Sequence, residues 1–295
     1  MISACQLDFS PGYVTTAGNE VSSGQSYALE AYEHVSAGAG ASLVLHGQDG
    51  WQALARWRAR HQFRWNKDSA EMSVKALIAF VLARLGLKLE VKSESSVATG
   101  FYPDFTISPG DNGEAVIRKL LSFVPDVIFI EGSKAYLVNP QSNDSSVYSY
   151  SAALPTTGGG EHPILEGRYR TGDWEINRLE VAGEDSDGAP LLANSFAWTE
   201  ISRLYDRLRQ VADRNLDTAA KAKQRGEAEL RRAAMESGGG AILIPVNCGQ
   251  QLYDVIGITD SRAGLAAAKK RVRGMMLVYE PRRREYSQRL KLGAV

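Results

Sequence analysis

The chain has 295 residues, and its 34 basic and 34 acidic side chains cancel to a formal net charge of zero. Hydrophobic residues make up 44% and charged ones 23%, which permits a sizeable core and excludes wholesale disorder. The neutral total implies neither a dedicated nucleic-acid binder nor an acidic shield, and two cysteines, Cys5 and Cys248, exclude a disulfide framework.

The cysteines lack metal-ligand spacing, so two reduced thiols in a reducing compartment are expected. MISACQLDFSPG has no basic region followed by an apolar core, and no apolar run approaches the ~20 residues that span a bilayer. Neither a secretory signal nor membrane insertion is therefore expected. Charge is unevenly spread: Arg262–Lys291 carries ten bases and two acids, whereas Glu161–Pro190 carries eight acids and three bases. Such segregation suits stacking on copies of the chain or on a patterned partner, and suits two solvated faces equally well.

Residues 1–50 mix short alternations, such as Ala4–Phe9 and Ala41–His46, with Gly and Ser. They predict a β-rich segment belonging to a first barrel. Residues 51–140 predict an α+β module. Trp51, Leu54 and Trp57 recur at helical spacing. Asp68 or Ser69 is a candidate cap for a helix using Met72, Ala76, Ile78 and Leu82, which Gly86 ends before a strand Leu87–Val91. Glu114–Phe123 predicts a short amphipathic helix stopped by Pro125, followed by a hairpin of Val127–Ile130 with Ala135–Val138.

Residues 141–190 read as a Ser-, Thr- and Gly-rich linker or long loop, then returning strands. Residues 191–237 predict a long helical segment. Trp198, Ile201, Leu204, Leu208 and Val211 are spaced 3, 3, 4 and 3, and breakers are scarce from Ser195 to Met235. Unbroken, that helix would run ~60 Å at about 1.5 Å per residue; a bend at 215–217 is the alternative, since Asp217 is placed to cap a second helix. Residues 238–295 read as short strands of a small barrel or sandwich. They close with a hairpin in which Tyr286, Gln288, Leu290 and Leu292 share one face across a charged turn, Glu280–Glu285.

Chemistry-bearing motifs are missing. His34, His46, His61 and His162 are scattered, with no paired ligand spacing, and no phosphate loop or nucleophile elbow occurs. Trp51, Trp57 and Trp65 suggest core packing ahead of an aromatic platform. No catalytic residue, cofactor or metal site is expected; an enzymatic role would need Glu161, His162 and Asp173 to converge in a cleft. The fold class expected is α+β: small β-barrel-like domains plus α/β modules, linked by a long helical segment. A signal-free chain of this kind without an active site reads as an assembly component.

The helix GEAELRRAAMES, running into ILIPVNCGQQLYDVIGITD and KKRVRGMMLVYEPRRREYSQRLKLGA, resembles the tail hub (baseplate hub) proteins of tailed bacteriophages. TISPGDNGEAVIRKLLSFVPDVIFIEGSKAYLVNP is similar to that family's middle module. The resemblance touches about two-thirds of the chain in order. It implies a homotrimeric virion protein at the tail tip. A tail tube or distal tail protein would sit above it and a tip or fibre protein below, and DNA would pass through without specific binding. A closed ring needs head-to-tail contacts, for which Trp198, Ile201, Leu204, Leu208 and Arg282, Arg283 and Arg284 are the candidate residues. The rival is a nucleic-acid-binding module that uses the same three arginines.

Overall fold

The computed structural model describes residues 5–22, 24–38, 40–153, 162–170 and 174–295. The chain divides into two compact units, Met1–Asn139 and Pro140–Val295. Both mix helices with several small sheets, so the α+β class holds.

Among the described residues of the first unit, four helices, the shortest being Ser96–Gly100, pack beside a small sheet. Gly50–Arg56 starts where the Asp49 carboxylate accepts the Trp51 N–H at 3.0 Å. Gly113–Ser122 starts where Asn112 Oδ1 accepts from Ala115 N–H at 2.7 Å. The helices approach closely because Gly113 leaves no room for a side chain: a Cβ there would stand 2.9 Å from the Leu54 carbonyl oxygen. The helix expected from Asp68 or Ser69 instead starts at Val74 with Ser73 as its cap. Asp68 closes a preceding turn by accepting from Ala70 N–H at 2.9 Å, and Phe101 C=O takes the Val74 N–H at 3.0 Å, so Met72 lies ahead of the helix. Gly86, at φ 76°, ends it by letting Leu87 N–H reach Leu82 C=O at 3.0 Å. The strand Lys88–Val91 pairs parallel with Lys134–Val138, which forms the expected hairpin with Val127–Glu131. Leu54, Leu77, Ile78, Leu82, Ile117, Leu120, Phe129 and Leu137 make the buried core.

The same unit begins with a different kind of structure. Ser26–Ala37 and Gly40–Gln48 form one long antiparallel ribbon, joined only at its base by Gln6–Asp8, which pairs with Ser26–Ala28. Beyond that base the ribbon is an arm.

In the second unit a seven-stranded sheet runs in the order His162–Pro163, Tyr148–Ser151, Val255–Asp260, Leu265–Glu280, Glu285–Gly293, Gly240–Pro245, Glu166–Tyr169. Its interior holds Tyr150, Ile242, Ile244, Ile256, Ile258, Val272, Leu290 and Leu292. Residues 141–163, read as a linker or long loop, thus contribute a strand, Tyr148–Ser151, that buries Tyr150 fully. The Ser and Thr content around it hid a pair of tyrosines, Tyr150 in the core and Tyr148 packed against it. No sheet among the described residues closes by a ladder of its own. The two edge strands here are nevertheless the two halves of one segment, 162–169. Ile164 N–H donates to Ser151 C=O and Leu165 N–H to Leu243 C=O, each at 2.8 Å. The sheet therefore curls until a single segment touches both its edges: barrel-like, with one seam.

The expected long helix is corrected. Only Trp198–Arg203 and Ala219–Glu236 are helical, and Leu208–Ala212 between them is a strand. It lies parallel to Arg178–Glu184, whose other neighbour is Pro190–Phe196. Buried Asn177 forces the break: its side-chain Nδ2 donates to Tyr205 C=O and its Oδ1 accepts from Arg207 N–H, both at 2.7 Å. The helix Ala219–Glu236 covers one face of this three-stranded sheet, packing on Leu179 and Val181, which are fully buried. Gly226 permits the contact, because a Cβ there would press on Ser195 Cβ at 3.0 Å.

Candidate interaction surfaces

Strand register decides which side chains share the uncovered face of the three-stranded sheet. Phe196 stands opposite Arg178, and Arg178 opposite Leu208, so the three form one row. Asn194, Glu180 and Gln210 form the next row, and Leu192, Ala182 and Ala212 the third. Leu192, Phe196 and Leu208 are exposed. The short helix extends this face: Trp198, 66% exposed, stacks on Phe196 with ring centroids 4.4 Å apart and planes 15° from parallel.

Charges on the face are matched within it. Arg178 donates to Asp206 at 2.9 Å and lies over the Phe196 ring at 5.3 Å, and Gln210 Nε2 donates to Glu180 at 2.7 Å. Tyr205 is exposed beside Arg207, whose guanidinium sits 4.7 Å from its ring centroid. Exposed Trp and Tyr with Arg between them is the composition of interface hot spots. Of the seven expected contact residues, Trp198 and Leu208 are exposed here, while Ile201 and Leu204 are half-buried. Sequence reasoning missed Leu192, Phe196 and Tyr205. The alternation of Leu192, Asn194 and Phe196 was the signal that could have found them.

Arg282, Arg283 and Arg284 lie apart from that row, in the turn Glu280–Glu285 of the closing hairpin. Arg283 N–H donates to Glu280 C=O at 3.1 Å and Arg284 to Pro281 C=O at 3.2 Å, and all three arginines are exposed. Arg284 takes φ 54°, the left-handed residue that tightens the turn. Below the tip, Met276, Leu277 and Tyr279 are also exposed. Deeper in the sheet the basic character turns inward. Arg271, 2% exposed, donates to Tyr253 C=O, Gln141 C=O and the Asp144 carboxylate at 2.8–2.9 Å. That cluster holds the segment entering the unit onto the sheet.

The arm is the third surface. Every described side chain from Ala31 to Gly47 is exposed, including Tyr32, Val35, Leu43, Val44 and Leu45. Residues 1–49 contain no lysine or arginine and five acids: Asp8, Glu20, Glu30, Glu33 and Asp49. Glu30 is engaged by Arg56, the first base in the sequence, and Glu33 by His46 at 3.1 Å.

The trio considered for catalysis does not assemble on the described residues. Glu161 and Asp173 lie outside them. His162 packs its ring against Tyr148 and Tyr150 at 5.8 and 5.4 Å. Tyr150 accepts from Asn247 Nδ2 and donates to Gln250 Oε1, each at 2.9 Å, and Gln250 donates on to Asp254 at 2.8 Å. Burial pushes the Tyr150 phenol up to about 12. Tyr169, donating to Asp260 at 3.2 Å, is also pushed up to about 12, by burial and then by that carboxylate. Neutral phenols of this kind suit structural hydrogen bonds better than proton transfer near neutrality. Trp65 is buried against Phe63 and Phe80, and Trp51 and Trp57 are half-buried beside their helix. Among the described residues no cluster of three or more His, Cys, Asp or Glu could hold a metal ion. No helix there is long and apolar enough to cross a membrane.

No protein-family model matches the chain. No curated protein matches it in sequence. Solved structures do match its fold. A tail protein from Neisseria meningitidis superposes with a TM-score of 0.72 at 16% identity, covering 99% of this chain and 89% of that one. The 43 kDa tail protein of prophage MuSo2 from Shewanella oneidensis gives 0.64 at 12% identity over 97% and 88%. A prophage tail protein from Listeria monocytogenes gives 0.58 at 11% identity over 99% and 85%. From the arm to the closing hairpin, this chain has the fold of phage tail proteins.

Proposed function

We propose that the chain is a structural virion protein: a trimeric tail-tip (baseplate) hub that joins the tail tube to a tip or fibre protein around the DNA exit channel. The observation that carries this reading is the likeness to tail proteins across 99% of the chain. The surfaces support it. Proteins that act alone seldom expose large contiguous apolar patches, yet here an aromatic sheet face, a hairpin tip and an arm are all uncovered. Trp198 and Leu208, with Ile201 and Leu204 beneath them, form one contact between copies, and Arg282–Arg284 lie at the ring edge. The role is assembly, not catalysis.

Native mass tests it directly. The purified chain is expected to give a species of about 96 kDa, three times 32.1 kDa, unchanged by short duplex DNA at low or moderate salt. A 32.1 kDa monomer that shifts with DNA and releases it as salt rises would replace this reading with nucleic-acid binding through Arg282–Arg284.

A further inference from the structure

We infer that neighbouring copies are joined ribbon to ribbon: the acidic N-terminal arm of one copy packs against the open edge and basic end of the closing hairpin of the next. The inference rests on the ring reading above and adds a second pair of surfaces between copies to the Trp198 face.

The arm has no fold of its own to hide in. A two-stranded ribbon is marginal in water unless a third strand or a packed face supports it. Among the described residues, backbone support ends at the base, where Gln6–Asp8 pairs with Ser26–Ala28 and Leu29 N–H donates to Cys5 C=O at 2.8 Å. Beyond Leu29, Ser26–Ala37 is paired along one edge only among the described residues, and so is Gly40–Gln48. Both faces carry apolar side chains. Register places Tyr32 opposite Leu45 on one face and Val44 opposite Glu33 on the other. Open edges with exposed Tyr, Leu and Val are pairing templates that free-standing proteins normally blunt with lysine or proline. The arm has neither between Ser26 and Gln48.

The closing hairpin offers the complement. Val255–Asp260 pairs with Leu265–Glu280 only as far as Arg271, and Tyr253 N–H reaches Val272 C=O at 2.7 Å. From Arg273 to Glu280 the strand is bonded on one side alone among the described residues, by Glu285–Gly293. Along that open edge Met276, Leu277 and Tyr279 are exposed, with Tyr279 at 69%. Arg282, Arg283 and Arg284 crown it.

Charge selects the pairing. The arm carries two acids, Glu30 and Glu33, and no lysine or arginine, so arm against arm brings like charge together, and hairpin against hairpin brings bases together. Both symmetric contacts are disfavoured by like charge. Arm against hairpin is the attractive combination. Because it uses two different patches, it is heterologous, the type of contact that closes rings of more than two copies.

The test uses the full chain with Cys5→Ser and Cys248→Ser. One preparation carries Val44→Cys and a second, distinguishable by mass, carries Met276→Cys. Far-ultraviolet circular dichroism and a thermal melt confirm that each folds. Mixed and mildly oxidised, they are expected to cross-link mainly as the mixed pair. In parallel, Glu33→Lys or the pair Arg283→Glu with Arg284→Glu should each weaken self-association about tenfold or more, and the combined variant should recover most of it. Val44 disulfides between like chains would replace the inference with a symmetric arm contact. A 96 kDa species with no mixed cross-link, three times 32.1 kDa, would overturn the contact and leave the hub standing. A monomer at every concentration, whose double-cysteine form closes its disulfide within one chain, would overturn the contact and the ring together.

Discussion

Ile164 and Leu165 are neighbours in the chain but hold opposite edges of one sheet, Ile164 through Ser151 C=O and Leu165 through Leu243 C=O, each at 2.8 Å. The seam of the barrel-like sheet is thus two backbone bonds wide at its centre. Leu165→Pro deletes the second donor without removing a buried side chain, since Leu165 is exposed. It is expected to cost about 1–3 kcal/mol. Leu165→Ala is expected to cost under about 0.5 kcal/mol, as surface substitutions do. Urea midpoints of the two variants check this, and equal midpoints would remove the seam from the account.

Asn177 sets the corner at which a helix-like sequence becomes a strand. Asn177→Ala leaves Tyr205 C=O and Arg207 N–H without their 2.7 Å partner in a buried setting. A loss of about 2–4 kcal/mol is expected for two such groups. Hydrogen exchange should locate the damage at Leu208–Ala212 and spare the seven-stranded sheet.

Tyr150 predicts an alkaline signature. Its phenol ionises near 10 when unfolded and is pushed up to about 12 by burial when folded. The folded chain therefore retains a proton that the unfolded chain has lost between those values. Stability from this group is complete below pH 10 and disappears as pH rises toward 12. Tyr150→Phe should lower stability at neutral pH by about 1–3 kcal/mol, because Asn247 and Gln250 lose their partner. It should also flatten the decline between pH 10 and 12, which denaturant titrations at stepped pH would read.

Trp198→Ser separates assembly from stability. The ring is exposed and rests on Phe196 alone among aromatic partners. Its removal should change the melting midpoint by no more than a few degrees, equivalent to about 1 kcal/mol. If the face binds a second copy, the same change should dissociate the assembly. Analytical ultracentrifugation that finds the oligomer intact would take Trp198 out of the interface.

Much of this fold was legible locally. The closing hairpin was readable from its period of two: Gln288, Leu290 and Leu292 are buried while Lys291 is exposed, although Ser287, expected outward, is buried too. The helix Gly113–Ser122 and the hairpin behind it followed from an amphipathic period, a breaker and a tight turn. The segment from Trp198 to Val211 was not legible, because the same spacing satisfies a helix and a helix–corner–strand. Its fate depends on pairing with Arg178–Glu184 and on Asn177, partners distant in sequence. Tyr150 was hidden differently: the alternation Tyr148-Ser149-Tyr150-Ser151 is only four residues long and sits in a Ser- and Thr-rich stretch that reads as a loop. Of the surfaces, the seam residues were named from the sequence, but their exposure was not readable there. Exposure depends on which face the helix Ala219–Glu236 covers.

The absence of lysine and arginine ahead of Arg56 also governs how the arm meets proteases and reagents. Trypsin has no peptide bond to cleave within it, so digestion should release the arm whole, as a single fragment ending at Arg56. Amine-reactive cross-linkers have no lysine side chain to capture along it. Carboxylate-directed coupling, aimed at Glu33 on one side and at basic residues on the other, is the chemistry that would record what the arm touches.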